Sequence, residues 1–179
     1  MNNNLRRVYS KKNIEQKIKE ISYNIHQDYD ITEDIVLICV LNGAFKFCNQ
    51  LLKELTLLIK NNIYIDFVKV SSYGNEVKST GEVNLLLDST LDLNNKHVII
   101  VEDIVDTGTT IRFLHKYFTQ KNPKSIKVAA LLYKNTSIDN NLVIDYKCFK
   151  IEDFFAVGYG LDYAQKYRNL EGIYNIENE

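Results

Sequence analysis

The chain has 179 residues, a length that suits one domain with a substantial core. Its 22 Lys and Arg stand against 23 Asp and Glu, and a net charge of −1 argues against a global basic field for nucleic acid. No apolar run approaches membrane-spanning length, and Met1 to Arg7 lack the apolar stretch of a signal peptide, so a cytoplasmic protein with neither nucleic-acid nor membrane partners is expected.

In chain order, Ser10 to Tyr29 reads as an amphipathic helix, with Ile14, Ile18, Ile21 and Ile25 at three-to-four spacing. Ile35 to Leu41 is a strand ending in Asn-Gly, and Phe45 to Asn61 is a helix carrying Leu51, Leu52, Leu55 and Leu58. Ile63 to Ser71 is the next strand. The polar stretch from Ser71 to Asn84 then breaks the pattern, and by composition it reads as an exposed hairpin or long loop. Val98 to Val101 and Lys127 to Tyr133 are further strands, separated by a helix from Ile111 to Gln120. Such alternation predicts an α/β fold with a parallel sheet and right-handed crossovers. Cys39, Cys48 and Cys148 form no Cys-x-x-Cys pair and suit reduced thiols in the core. His26, His97 and His115 are scattered, which gives no zinc grouping.

The most informative stretch is Val98 to Thr110. Its apolar strand runs into Glu102 and Asp103, then Asp106 and the turn Thr107-Gly108-Thr109-Thr110, and then a helix. Backbone N–H groups and hydroxyls of that turn, with the positive end of the helix behind them, suit a phosphate monoester. Gly108 would let the backbone turn and approach a ligand closely. Carboxylates repel phosphate, so Glu102 and Asp103 must face sugar hydroxyls, a Mg2+ ion, or water on that ion. Asp106 is left free to accept a proton. Together these point to a phosphorylated sugar. The same charges also occur at plain strand ends and helix N-caps, and a receiver-type signalling domain places acids in a similar way. No G-x-x-x-x-G-K-[ST] occurs, which sets aside a nucleotide P-loop.

Val101-Glu102-Asp103-Ile104-Val105-Asp106-Thr107-Gly108-Thr109-Thr110 resembles the phosphoribosyl-pyrophosphate motif of type I phosphoribosyltransferases. Four further segments keep the family's order: Leu41-Asn42-Gly43-Ala44, Val70-Ser71-Ser72-Tyr73-Gly74, Leu131-Leu132-Tyr133-Lys134 and Phe155-Ala156-Val157-Gly158-Tyr159-Gly160-Leu161-Asp162-Tyr163. With Arg168 they resemble the hypoxanthine-guanine phosphoribosyltransferase family, from about Val8 to near the C-terminus.

The resemblance implies one domain over residues 1–179, with a central, mostly parallel twisted sheet flanked by helices and a small hood from the chain termini. Residues 71–84, with Ser72 and Tyr73, would form a mobile flap that keeps water from a carbocation-like sugar. The implied reaction is purine salvage. Phosphoribosyl passes from 5-phosphoribosyl 1-pyrophosphate to N9 of hypoxanthine or guanine, with Mg2+ as cofactor, in a homodimer or homotetramer. Rivals on the same fold are a xanthine- or adenine-preferring enzyme and a pyrimidine-sensing RNA-binding regulator.

The resemblance also implies roles. Glu102, Asp103, Asp106, Thr107, Gly108, Thr109 and Thr110 would hold the phosphoribosyl group, with Asp106 as the catalytic base for the N7 proton. Asn42, Gly43 and Arg168 would meet pyrophosphate. Relatives often carry Lys or Arg where Asn42 stands, so the backbone of this loop, often with a cis peptide (here Leu41–Asn42), would do the binding. Lys134 would donate to O6 of the purine, Phe155 would stack on its face, and Ala156, where Val is usual, would offer backbone groups. Asp162 would sit near the exocyclic position and join Glu102 and Asp103 around the metal. On their own, Lys134 reads as a strand end, Phe154 and Phe155 as core, and Arg168 as a surface residue on a C-terminal helix.

Overall fold

The computed structural model describes residues 4–30, 32–59, 62–72, 83–134 and 142–177. In chain order the elements are β1 (Asn4–Tyr9), α1 (Lys11–Asp28), β2 (Ile35–Leu41), α2 (Phe45–Leu58), β3 (Ile63–Ser72) and β4 (Val83–Leu87). There follow β5 (His97–Val105), α3 (Thr109–Thr119), β6 (Ser125–Lys134), β7 (Tyr146–Ile151), β8 (Ala156–Val157) and β9 (Ile173–Glu177). A six-stranded sheet runs in the order β4-β3-β2-β5-β6-β7, parallel throughout except at the β4 edge. A three-stranded antiparallel sheet, β1-β9-β8, is built from the two ends of the chain. This is the α/β architecture and terminal hood that the sequence led us to expect.

Both faces of the large sheet are covered, which explains why its central strands are unbroken apolar runs. Leu37 and Cys39 of β2 and Ile99 and Val101 of β5 face one core with Ile14, Ile18 and Ile25 of α1 and Phe47 and Leu51 of α2. The alternate residues Val36, Ile38, Val98 and Ile100 face a second core with Ile111, Leu114 and Phe118 of α3. The period-two alternation of a strand thus distributes one sequence between two layers. Cys39, Cys48 and Cys148 are free and buried in the first core.

Local chemistry sets the ends of the elements. Asn13 N–H donates to Ser10 Oγ at 3.2 Å and Ser10 N–H donates back to Asn13 Oδ1 at 3.2 Å, a reciprocal cap that starts α1 one residue after the predicted Ser10. α2 stops at Leu58, short of the predicted Asn61, because Ile59 turns to extended backbone. The predicted strand Val98 to Val101 is also too short. β5 continues through Glu102, Asp103, Ile104 and Val105, held by β6 up to the pair Val105↔Tyr133. The acids therefore lie within the strand. Ladder pairing with a neighbour extends it past the point where apolar character ends.

The polar segment from Ser71 to Asn84 is bounded by β3 and the unpredicted β4, paired antiparallel through Ser72↔Val83. The flap expected over 71–84 falls largely outside the described residues, Tyr73 included, while Ser72 closes β3. Arg168 is on no helix; it lies between β8 and β9 in an irregular segment where Ala164, Gln165 and Tyr167 have positive φ.

A buried carboxylate fastens the return from β4 to the sheet. Asp66 of β3 accepts from Ser89 Oγ at 2.7 Å, Thr90 N–H at 2.6 Å, Leu91 N–H at 2.9 Å and Phe67 N–H at 2.8 Å. Burial alone would raise its pKa, but the donors from Ser89, Leu91, Phe67 and Thr90 prevail and hold it below its ordinary 3.8. Asp66→Ala strands these donors and should cost about 2–3 kcal/mol in urea unfolding at pH 7. A group with a depressed folded pKa stabilises above its unfolded value and loses that contribution as pH falls through the folded one. The gap between wild type and variant should therefore narrow below pH 3.8, and a gap unchanged down to pH 2 would contradict this account.

Candidate active site

The site lies where the parallel strands end, because β2, β5, β6 and β7 all point their carboxyl ends to one edge. After β5 the chain makes the turn Thr107-Gly108 and enters α3. Gly108 occupies the N-cap with φ +78°, and neither a side-chain cap nor an acidic residue covers the first turn of the helix. The Thr109 N–H makes a long contact of 3.4 Å to Thr107 Oγ1, and the rest of this helix end suits an anionic ligand. The positive φ is what calls for glycine here, and a Cβ would in addition push the end of the Leu142 side chain aside. Thr107 Oγ1 and Thr109 Oγ1 lie 3.0 Å apart, and Arg112 Nη2 donates to Thr107 O at 2.7 Å, bracing the turn from behind. Glu102 and the run from Ile104 to Ile111 line a small cavity of about 90 Å3, the size of a phosphate group more than of a whole substrate.

Glu102 and Asp103 are the electrostatic anomaly of the molecule. Glu102 is buried and its Oε2 has no hydrogen-bond partner among the described residues. Burial pushes its pKa well up, and the adjacent Asp103 charge pushes it further. Asp103 is raised as well, chiefly by burial, although the Ile104 N–H donated to Oδ1 at 2.9 Å and the Arg168 charge oppose this. Two neighbouring carboxylates with too few donors form a site suited to a cation.

The loop after β2 meets Asp103 directly. The Leu41–Asn42 peptide is cis. A Cβ at Gly43 would run into the Asp103 carboxylate, and one at Gly160 would run into Gly43 O. Asn42 itself is exposed. Arg168 Nη1 donates to Gly160 O at 2.8 Å, and its Nη2 is 2.7 Å from Asp162 Oδ1. Asn42, Gly43, Asp103, Gly160, Asp162 and Arg168 thus belong to one connected cluster. The expected trio of metal acids does not converge. Asp162 is engaged by Arg168 and by the Gln165 N–H at 2.8 Å, and among the described residues no group of three or more His, Cys, Asp or Glu is placed to hold a metal. Only the adjacent Glu102 and Asp103 retain that character.

Lys134 ends β6 next to Asp106. Its ammonium is 3.7 Å from Asp106 Oδ1 and donates to Asp153 Oδ1 at 2.8 Å. The Asp153 hydrogen bond and the two acidic charges raise its pKa despite partial burial. The Asp106 side chain is 53% exposed and so open to a ligand. Phe155, which spacing alone would put in the core, is instead 53% exposed and meets Tyr163 edge-on at 5.4 Å between ring centroids. Ala156 is buried in β8, paired with Asn175 of β9. Arg112, Asp153 and Gly160 emerge as site residues without a role assigned from sequence. Only Gly160, inside a quoted motif, carried a local signal; the other two are marked by spatial neighbours.

A second cavity, of about 600 Å3, is lined among others by Phe45, Lys46, Phe67 and Tyr159. Its size does not make it the reacting site, since it holds none of the residues gathered around β5.

Residues 4–164 match the family model described as the phosphoribosyl transferase domain. The chain is 33% identical over 172 residues to the hypoxanthine-guanine phosphoribosyltransferase of Dictyostelium discoideum, covering 96% of this chain and 95% of that protein. It superposes on the Bacillus anthracis hypoxanthine-guanine phosphoribosyltransferase with a TM-score of 0.87 and 41% identity, over 96% of this chain and 98% of that one. On the Trypanosoma cruzi hypoxanthine phosphoribosyl transferase the TM-score is 0.90 at 33% identity, over 99% of this chain and 93% of that one. Agreement of sequence, fold and site geometry over nearly the whole length leaves one conclusion: the chain belongs to the hypoxanthine-guanine phosphoribosyltransferase family.

Proposed function

We propose that this chain serves purine salvage by moving the phosphoribosyl group of 5-phosphoribosyl 1-pyrophosphate to N9 of hypoxanthine or guanine, giving IMP or GMP and pyrophosphate. The observation that carries this reading is the placement of Asp106 between the phosphate turn, Thr107 to Thr110, and the ammonium of Lys134. One residue then borders both the sugar site and the base site. The 5′-phosphate takes the N–H groups and hydroxyls of the turn, and the ribose hydroxyls face Glu102 and Asp103. Asn42, Gly43 and Arg168 receive the pyrophosphate, the loop through its backbone and Arg168 through its guanidinium. The purine stacks on Phe155, takes backbone contacts from Ala156, and accepts at O6 from Lys134. Asp162 lies toward its exocyclic position.

As the C1′–oxygen bond to pyrophosphate breaks, N9 bonds to C1′, and the N7 proton passes to Asp106. Adenine carries an amino group at position 6, which cannot accept from an ammonium. An N–H of this partly buried lysine left facing a group that cannot accept is a basis for rejection. Glu102 and Asp103 would hold the Mg2+, which when bound supplies charge neutralisation of the leaving pyrophosphate. Family resemblance alone assigns the covering flap to residues 71–84. Exposed Phe45 and Phe67 beside the 600 Å3 cavity support a homodimer or homotetramer, to be read by sedimentation. The buried, unpaired cysteines support a reducing cytoplasm, and no helix of the described residues is long and apolar enough to cross a membrane.

The deciding experiment is pyrophosphate release with Mg2+ and each of hypoxanthine, guanine, xanthine and adenine. Turnover with the first two and none with adenine is expected; silence with all four would defeat the reading. Asp106→Asn should bind both substrates yet lose roughly 10²–10⁴-fold in kcat, and full turnover would remove Asp106 as base. Lys134→Ala should raise the purine KM roughly 10- to 100-fold, the worth of a hydrogen bond to a charged donor, and leave the KM for 5-phosphoribosyl 1-pyrophosphate in place. An unaltered purine KM would rule out the O6 contact.

A further inference from the structure

We propose that Asp153 is the positioning residue for Lys134: its carboxylate restrains the ammonium from closing onto Asp106 and leaves an N–H directed at the 6-oxygen of the base. This rests on the roles given above to Lys134 and Asp106. Strands β5, β6 and β7 are adjacent and parallel, with Val105 opposite Tyr133 and Lys134 opposite Ile151. The residues leaving them, Asp106, Lys134 and Asp153, therefore form a row of alternating charge across the edge of the sheet. Asp153 and Asp106 are the charged groups acting on the Lys134 ammonium, at 2.8 Å and 3.7 Å.

The distances decide the argument. The Lys134 side chain is only 14% exposed, so its stem is held and its head has a short range. Within that range two acids compete. Removal of Asp153 would leave Asp106 as the uncontested partner, and the ammonium would move toward the residue that must remain free to take a proton. An ammonium has three N–H donors. With one on Asp153 and one facing Asp106, a third remains for a carbonyl oxygen.

Among the described residues Asp153 has no other partner that would give it a structural task. Its side chain is 91% exposed, and its hydrogen bond goes to Lys134. An exposed ion pair of this kind adds little to stability. Its effect is positional, because the competing carboxylate is so near. Asp153 also lies two residues before Phe155, so one short segment after β7 carries both the restraint on the lysine and the ring assigned to the purine face.

The test compares Asp153→Asn, Asp153→Ala and Asp153→Glu in the otherwise intact protein. The Asn and Ala variants should raise the hypoxanthine and guanine KM about tenfold, within the coupling range for contacting groups, with melting temperature and the KM for 5-phosphoribosyl 1-pyrophosphate unchanged. Asp153→Glu should restore the purine KM to within about twofold of wild type, and Asp153→Asn should have no further effect in a Lys134→Ala background. An unchanged purine KM in both Asn and Ala variants, or the same tenfold loss in the Lys134→Ala background, overturns the proposal. Wild-type protein inactive on both 6-oxopurines would overturn the underlying reading as well, and is told apart by needing no variant.

Discussion

A parallel sheet delivers the carboxyl ends of all its strands to one edge, and in this molecule β5 is paired in parallel with both β2 and β6. Everything that reacts depends on that arrangement. The loop after β2 meets Asp103, the turn after β5 lines the small cavity at the start of α3, and Lys134 at the end of β6 stands near Asp106. A one-residue slip of β5 would exchange its two faces, placing Glu102 where Asp103 now is and pulling Val101 out of its core. Isoleucines and valines at the centre of the strand therefore fix the position of the acids at its end.

The acids in turn give this edge an electrostatic cost. Burying Glu102 beside Asp103 opposes ionisation of both, and their pKa values rise in consequence. The Ile104 N–H serves Asp103, and Gly43 and Gly160 are packed too closely for a further side chain to enter beside it.

The sequence made the sheet, the helices over it and the phosphate turn legible, because these follow from local pattern: apolar runs, three-to-four spacing, and a glycine between threonines. Local pattern was silent on β1, β4, β7, β8 and β9, and only the family resemblance implied the hood that β1, β8 and β9 build. Tyr146–Ile151 mixes two lysines with its apolar residues, and β8 is two residues long. Such strands exist because of what they pair with. Phe155 shows the same limit from the other side: two adjacent phenylalanines look like core, yet Phe154 packs inward and Phe155 faces out. Arg112 and Asp153 carry no motif at all. Their importance lies in the Thr107 carbonyl and the Lys134 ammonium, each brought close by the tertiary fold.

The small sheet joins Asn4 to Glu177 and Ala156 to Asn175. Few contacts in a protein span so much of the chain, and closing a loop of that length is slow even though its entropic cost grows only logarithmically. The strand that orders Ala156, next to Phe155, lies far along the chain from β5 and its turn and is synthesised after them. Until it emerges, a nascent chain can hold a finished Thr107–Thr110 turn while Ala156 still lacks its partner Asn175. Synthesis itself would then impose an order of maturation, with the turn after β5 formed first and the segment around Phe155 last.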